Sequence, residues 1–333
     1  MDAGSSATRI NEIALDDRGC FSQRTVLTYG PLTHLVDFLK EATDSVLVPF
    51  LTAFIEHIIA LLPHKGAPLY VGLTGGIRDK SENEHYKKVL RALRITLFNI
   101  NKPGLRFGSP IMDPLEECRL EQLAVRTLDA SLDGHIGMGG ASIQISRGNN
   151  CVSIPISTGT PLSADFKSWR ITKKEFEQKL ESYLDREGSA LRDVVGNATD
   201  ARYGGTETIA FVAQQANIER NTLFSVEEWV KRLKPFKNDP TFEKADLRNY
   251  VSCLIIYHLL SRFPSTAQLE HFELPQQDCP QSKVEATWSV GALADTDIMN
   301  PRKLLRRRAR RAGHFKSKNI QKHSNSQTLV SST

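Results

Sequence analysis

The chain of 333 residues has no apolar run of the roughly 18 residues that a membrane helix needs. Ser45 to Pro63 comes nearest, and Pro49, Glu56 and His57 interrupt it, so it reads as a buried amphipathic helix. No charged start followed by an apolar core opens the chain, so no secretory leader is visible. The five cysteines (Cys20, Cys118, Cys151, Cys253, Cys279) are odd in number, widely spaced and without a CxxC pair. That argues against a structural zinc site and leaves the compartment open. One sequon, Asn197-Ala198-Thr199, would matter only in a secreted chain. Acidic residues stop at Asp297. Ten of the 43 Lys and Arg crowd into Arg302–Lys322, leaving 33 against 38 acidic residues in the rest. The body is therefore mildly acidic, and the overall +5 belongs to a tail. A body that binds nucleic acid is not implied.

What is present is a mixed α and β string. Residues 8–15 and 23–29 read as strands joined by a turn at 16–19. Residues 32–42 and 46–62 show helical spacing, 68–73 is a short buried strand, and 84–97 is a helix. Beyond these come a helix over 114–128, a strand over 135–146 broken by Gly-Gly, and a partner strand over 150–157. Helices are expected over 172–187, 226–233 and 247–260, and 283–293 reads as a strand entering a turn. From residue 311 the chain is basic, Ser-rich and expected to be disordered. No solenoid period is apparent, but glycine-rich strand turns occur twice.

Those two turns are the first segments that carry chemistry. Asp2-Ala3-Gly4-Ser5-Ser6-Ala7-Thr8 and Gly137-Met138-Gly139-Gly140-Ala141-Ser142-Ile143-Gln144 are built of small and hydroxyl residues. Such residues let backbone N–H groups approach a phosphate closely. Either one alone would read as a plain hairpin turn. A third segment, Leu73-Thr74-Gly75-Gly76-Ile77-Arg78, ends a buried strand. A fourth, Glu116-Glu117-Cys118, opens a helix. A carboxylate there usually only complements the helix dipole; in a phosphate cleft it could deprotonate a water. The fifth, Trp288-Ser289-Val290-Gly291-Ala292, looks like core by itself.

In combination and order, these segments resemble the apyrase and guanosine-diphosphatase family, nucleoside phosphatases of the actin-like ATPase superfamily. The resemblance runs from residue 2 to about 300. Family motifs of the form Asp-Ala-Gly-Ser-Ser-x-Thr, Ala-Thr-Ala-Gly-Met-Arg, Glu-Glu-Gly, Asp-Leu-Gly-Gly-Ala-Ser-Thr-Gln and Trp-x-x-Gly-Ala match the five segments in turn. The exopolyphosphatases, a sister family, share the glutamates and the glycine loops. The Asp-Ala-Gly-Ser-Ser and Gly-Gly-Ala-Ser-x-Gln wording favours the apyrase side.

The resemblance implies an α/β fold of two RNase H-like (actin-like ATPase) domains with a nucleotide cleft between them. The first domain would span 1–110, with 293–310 packing back on it. The second would span 111–292, and 311–333 would be a basic disordered tail. It implies a hydrolase that releases terminal phosphate from nucleoside di- or triphosphates with Mg²⁺ or Ca²⁺. Glu117 matches the base that activates water, Ser142 and Gln144 match groups that position it, and Thr74 matches a residue close to metal and base. Gly4, Ser5, Ser6, Thr8, Gly139, Gly140, Ala141 and Ser142 match the phosphate clamp. Asp2 matches a carboxylate that holds the ion through water. In-line attack on a terminal phosphate needs these parts: charge neutralisation, a placed water and a base.

The departures are as informative. The family's second metal-directing Asp is Gly137 here, and loss of an anionic oxygen weakens a hard-cation site. Ala7 stands where many members carry a side chain facing phosphate, and Cys118 replaces a glycine. Only Met1 precedes Asp2, so the family's first strand is nearly missing. That is expected of an incomplete N-terminus or of a trimmed paralogue. Two alternatives therefore stand beside the hydrolase: a nucleotide-binding paralogue of weakened turnover, and an exopolyphosphatase with the basic tail as a binding arm. The Arg306–Arg311 run also fits a nuclear address, a contact with acidic partners or a membrane surface, or a solvated helix end, and the last is favoured. Tyr203, Phe211 and Phe236 could stack on a base, though each is more often core. Family membership points to a membrane or secretory pathway, for which the chain itself carries no visible signal.

Overall fold

The structure is a computed structural model and describes residues 2–3, 7–15, 21–30, 37–39, 41–62, 69–74, 83–100, 105–196, 200–219, 222–238, 247–271 and 287–295. Met1–Ala294 forms one unit, and a second unit, Asp295–Thr333, is described only at its first residue. The expected tail, the sequon and residues 283–286 lie outside the described residues.

The first sheet takes its strands from Asp2–Ala3 (β1), Thr8–Leu15 (β2), Phe21–Tyr29 (β3), Leu69–Leu73 (β4) and Leu105–Ile111 (β5). Their order across the sheet is β3-β2-β1-β4-β5. The two-residue β1 is central: Asp2 and Ala3 pair antiparallel with Arg9 and Thr8, and parallel with Gly72 and Leu73. The nearly missing first strand is thus present in its last two residues. Two helices, Asp44–Leu61 (α1) and Glu84–Asn99 (α2), pack together beside this sheet. The expected buried helix is buried along one stripe only, through Leu47, Leu51, Ile55 and Ile58. That stripe joins Val71, Leu73, Val89, Leu93 and Leu97 in a core of its own. The outer face of α1 is exposed, and this corrects the expectation that no segment is apolar enough for a membrane: its 18 residues, with mean hydropathy 1.6, are by length and composition enough to cross one. Pro49 stands in the second turn of α1, where it removes the bond an N–H there would give to the Ser45 carbonyl.

The second sheet uses Gly134–Met138 (β6), Ile143–Arg147 (β7), Asn150–Ile154 (β8), Arg202–Glu207 (β9), Leu223–Ser225 (β10) and Gln268–His271 (β11). The order is β10-β11-β9-β6-β7-β8. Without its edge strand β10 it repeats the first sheet. A central strand (β6) is followed by two antiparallel neighbours on one side (β7, β8). Two parallel neighbours (β9, β11) lie on the other. The glycine-rich 139–142 turn follows the central strand β6; residues 4–6, which follow β1 in the chain, lie outside the described residues. The repeat invisible in the sequence is a repeat of topology.

The remaining helices are Pro114–Leu128 (α3), Pro161–Lys167 (α4), Lys173–Arg186 (α5), Gly188–Val195 (α6), Thr208–Gln215 (α7), Val226–Asn238 (α8), Leu247–Leu260 (α9) and Trp288–Ala294 (α10). The expected strand over 283–293 is a correction: its described part is α10. Gly291 explains why. A Cβ there would stand 1.8 Å from the backbone oxygen of Leu120, so the glycine lets α10 lie directly against α3. Val290 then closes a small cluster with Ala124, Val125, Leu128 and Phe21, which carries contact from α3 to the β2–β3 hairpin.

Candidate active site

The site is built on α3. Asp113 is its N-cap and accepts from the Leu115 N–H at 2.9 Å, and Pro114 fills the first helical position. Glu116 and Glu117 fall in the first turn. Glu116 is half-buried, whereas Glu117 is only 7% exposed. A hydrogen bond from the Met112 N–H to the Leu73 carbonyl, 3.0 Å, ties this helix start to the end of β4. Thr74, buried, follows Leu73 directly, so Thr74 and Glu117 come from the same corner.

The partner surface is one face of the second sheet. Side chains alternate along a strand. Ile136, Met138, Ile143, Ile145, Val152 and Ile154 all point into the large core of the second sheet. The opposite face carries His135 and Gly137 on β6, Gln144 and Ser146 on β7, and Cys151 on β8. Helix α3 covers it. Cys118 Sγ donates to the Ile145 carbonyl at 3.4 Å, and Gln122 Nε2 donates to the Gly148 carbonyl at 2.8 Å. Cys118 follows Glu117 and Ile145 follows Gln144, so the turn of α3 that carries the expected base packs on β7, the strand that leaves the β6–β7 turn. In that turn Gln144 Nε2 donates to Ser142 Oγ at 2.7 Å, which orients both side chains.

The turn itself is closed by a bond from the Gly139 N–H to the Ser142 carbonyl, 3.0 Å. A strap that the sequence reading left unremarked holds it from outside. Ser157 Oγ donates to the Gly139 carbonyl, and the Gly159 N–H donates to the Gly140 carbonyl at 2.8 Å. A Cβ on Gly159 would stand 2.3 Å from that same carbonyl oxygen. Thr160 Oγ1 and Ser163 Oγ both donate to the Ser157 carbonyl, at 2.7 and 2.6 Å, and so brace the strap in turn. With its carbonyls bound outward, the turn keeps one fixed shape. The signal for this strap was the Ser157-Thr158-Gly159-Thr160-Pro161 run, rich in hydroxyls and ending in a helix-starting proline. Glu207 was also missed. It ends β9 opposite Met138, at φ 56°, a strained conformation for a side chain with a Cβ.

The missing carboxylate has a structural reason. A Cβ on Gly137 would meet the His135 ring at 2.7 and 2.8 Å, and Glu121 Oε2 at 3.1 Å. His135 is fully buried and its Nε2 lies 2.8 Å from Thr206 Oγ1. Burial pushes its imidazole down to about 3, so the ring is neutral. Its Nδ1 stands 3.9 Å from Glu121 Oε2. A neutral imidazole thus fills the place where the apyrase-like pattern carries an acid. Among the described residues no group of three or more His, Cys, Asp and Glu side chains could hold a metal ion. Asp2, the expected ligand, has its side chain outside the described residues; a divalent cation carried in by substrate phosphates is compatible with the rest, and no step below passes through one.

The other expected residues divide by lobe. Gly139, Gly140, Ala141, Ser142 and Gln144 share the β6–β7 turn and its flank, and Glu117 lies on the helix that packs on this sheet face. Thr8 opens β2, is buried, and its Oγ1 has no hydrogen-bond partner among the described residues. Gly4, Ser5, Ser6, the side chain of Asp2, and Gly75 to Arg78 lie outside the described residues. Tyr203 is core: it is fully buried with its ring edge-on to Phe263, centroids 5.4 Å apart, which removes it as a base-stacking group. Phe236 packs on the same core from a half-buried position.

Two sheets whose central five strands share one topology are the frame of a two-domain actin-like ATPase fold. Solved structures of that fold are similar to this chain. A Ppx/GppA family member from Aquifex aeolicus has a TM-score of 0.55 at 17% identity, over 89% of this chain and 95% of the other. An exopolyphosphatase-like protein has a TM-score of 0.54 at 14% identity, over 89% and 96%. The type II variant of the Aquifex aeolicus Ppx/GppA phosphatase has a TM-score of 0.51 at 17% identity, over 81% and 94%. No family model and no curated protein matches the chain. These likenesses show the two-domain fold expected from the sequence, and the apyrase branch is not among them.

Proposed function

We propose that this chain hydrolyses phosphoanhydride bonds and releases terminal phosphate, with linear polyphosphate as the substrate class. The observation that carries the reading is the strapped 139–142 turn, with Ser142 and Gln144 oriented, and, packed on the strand that leaves it, the turn of α3 that carries buried Glu117. The turn's backbone amides and the Ser142 hydroxyl would receive the terminal phosphate. Glu117 would take a proton from a water held by Ser142 and Gln144 as its oxygen bonds to phosphorus. The bridging oxygen would leave with the shortened chain. The Ppx/GppA and exopolyphosphatase-like proteins that share this fold favour polyphosphate over the nucleoside di- or triphosphates that the motifs suggest. The basic stretch Arg302–Lys322 suits such a polyanion as a binding arm. His135, in the space of a second carboxylate, favours a second reading: a paralogue that keeps the clamp and turns over slowly.

The test is phosphate release from polyphosphate, ATP, ADP, GDP and UDP, each with Mg²⁺, Ca²⁺ or EDTA, beside Glu117→Gln. The expected result is release from polyphosphate that falls about 10²–10⁴-fold in Glu117→Gln, the usual loss for a removed general base. Release from nucleotides alone would return the substrate class to nucleoside phosphates. Equal rates in parent and variant would remove Glu117 from the chemistry. A folded parent that releases nothing would leave the slow paralogue.

A further inference from the structure

Cys118 and Cys151 face each other across the contact between α3 and β8. Cys151 lies on the face of β8 that α3 covers, one residue from Val152. The Cys118 sulfur donates to the Ile145 carbonyl at 3.4 Å and reaches the Val152 carbonyl, next to Cys151, at 3.9 Å. Neither is in a disulfide. They differ in setting: Cys118 is buried and adjoins Glu117, while Cys151 is half-buried on the second strand of a hairpin. We propose that this pair is a peroxide-driven thiol–disulfide switch, which on oxidation draws the first turn of α3 off its working position and stops phosphate release. The regulatory part rests on the role given above to Glu117.

The two settings assign the roles. Cys151 is the more accessible of the two thiols, and the neighbouring Cys118 side chain holds it below its ordinary range, against the opposing effect of burial, with the nearby Arg119 charge adding to the lowering. Burial pushes the Cys118 thiol strongly up, and the Cys151 contact and the Glu121 carboxylate push it the same way. The thiolate is the nucleophile. Cys151 therefore attacks the peroxide: an S–O bond forms, the O–O bond breaks, and hydroxide leaves to become water. Cys118 then attacks the sulfenic sulfur. The S–S bond forms, the S–O bond breaks, and the departing hydroxide takes the Cys118 proton. The balance is two thiols and one peroxide to one disulfide and two waters, the peroxide supplying the oxidising equivalents. The second step is slow because Cys118 holds its proton tightly.

Closing the pair to about 2.05 Å from non-bonded contact moves one or both sulfurs by about 1 Å or more. Cys118 is one residue from Glu117, on a helix held by Gly291 against α10. A misplacement of about 1 Å at a reacting group lowers rates by about 10²-fold.

The full chain is treated with graded hydrogen peroxide, alkylated, and digested with trypsin under non-reducing conditions. Cys118 lies in peptide 107–119 and Cys151 in peptide 148–167, so their cross-link has its own mass. The expected result is that cross-link, reversed by dithiothreitol, with polyphosphate-derived phosphate release falling about 10–100-fold and returning on reduction. Cys118→Ser should instead trap Cys151 as a sulfenic acid, read with a dimedone probe. A chain that resists oxidation, or that links Cys151 elsewhere, overturns the proposal, and so does a cross-linked chain that releases phosphate at the full rate. If the reduced chain releases no phosphate, the functional reading has failed, and the switch is judged by hydrogen exchange of peptide 107–119. Faster exchange in the cross-linked form supports it, and unchanged exchange overturns it.

Discussion

Gly137→Ala tests whether His135 owns the space of the missing carboxylate. The added Cβ would lie 2.7 Å from one ring carbon of His135 and 2.8 Å from Nε2, closer than carbon contacts allow. The ring cannot swing into solvent, because it is fully buried and tied to Thr206 at 2.8 Å. Moving it breaks that bond and leaves a buried imidazole and hydroxyl without partners, about 1–3 kcal/mol. Overpacking adds about 1–3 kcal/mol. A loss of about 2–6 kcal/mol lowers the melting temperature by at least about 4 °C in a domain of this size. His135→Ala removes the obstacle, so the double variant should be less destabilised than the sum of the singles by about 1 kcal/mol or more. Gly137→Asp should be worse than Gly137→Ala, since its carboxylate would also meet Glu121. It should lower phosphate release, contrary to what the sequence pattern suggests for a restored acid. Scanning calorimetry and urea midpoints on the two singles and the double decide the matter. A Gly137→Ala chain melting within about 1 °C of the parent would show that His135 yields freely, and the packing account would fall.

Gly159→Ala attacks the strap rather than the chemistry: its Cβ would collide with a backbone carbonyl at 2.3 Å, which cannot rotate aside. Phosphate release should fall about tenfold or more as the 139–142 turn shifts, and an unchanged kcat/KM would mean the strap does not shape the turn. Stability should also depend on pH through His135. With the folded value depressed to about 3 and the unfolded value near 6.5, the unfolded chain binds the extra proton between them. The stabilisation is complete above about 6.5 and is lost as pH falls, by about 2 kcal/mol between pH 7.5 and 5. His135→Gln should shed that part of the acid dependence in urea titrations, and equal losses in parent and variant would contradict the assignment.

Local rules legible in the sequence set much of the architecture. Asp113-Pro114 marks the start of α3, alternation marks the β2–β3 and β7–β8 hairpins, and the two glycine-rich turns are visible as small-residue runs. Order along the chain was enough to bring Glu117, Ser142 and Gln144 under suspicion together. The ring in the place of a carboxylate was not legible. That Gly137 lies under the imidazole two residues earlier depends on strand alternation together with the depth at which α3 presses on the sheet. The strap at 157–160 was missed for the same reason, since its partners lie 18 and 19 residues away and meet only when β7 and β8 return the chain. The helix at 288–294 looked like a strand because apolar alternation over a few residues fits either. What decided it was the backbone of Leu120, which leaves room for a glycine and for nothing larger. Sequence by itself determined which short segments could form turns, caps and polar stripes, because those follow from neighbours along the chain. Tertiary structure alone decided which stripe faces which helix, and therefore which side chain occupies the space another has left.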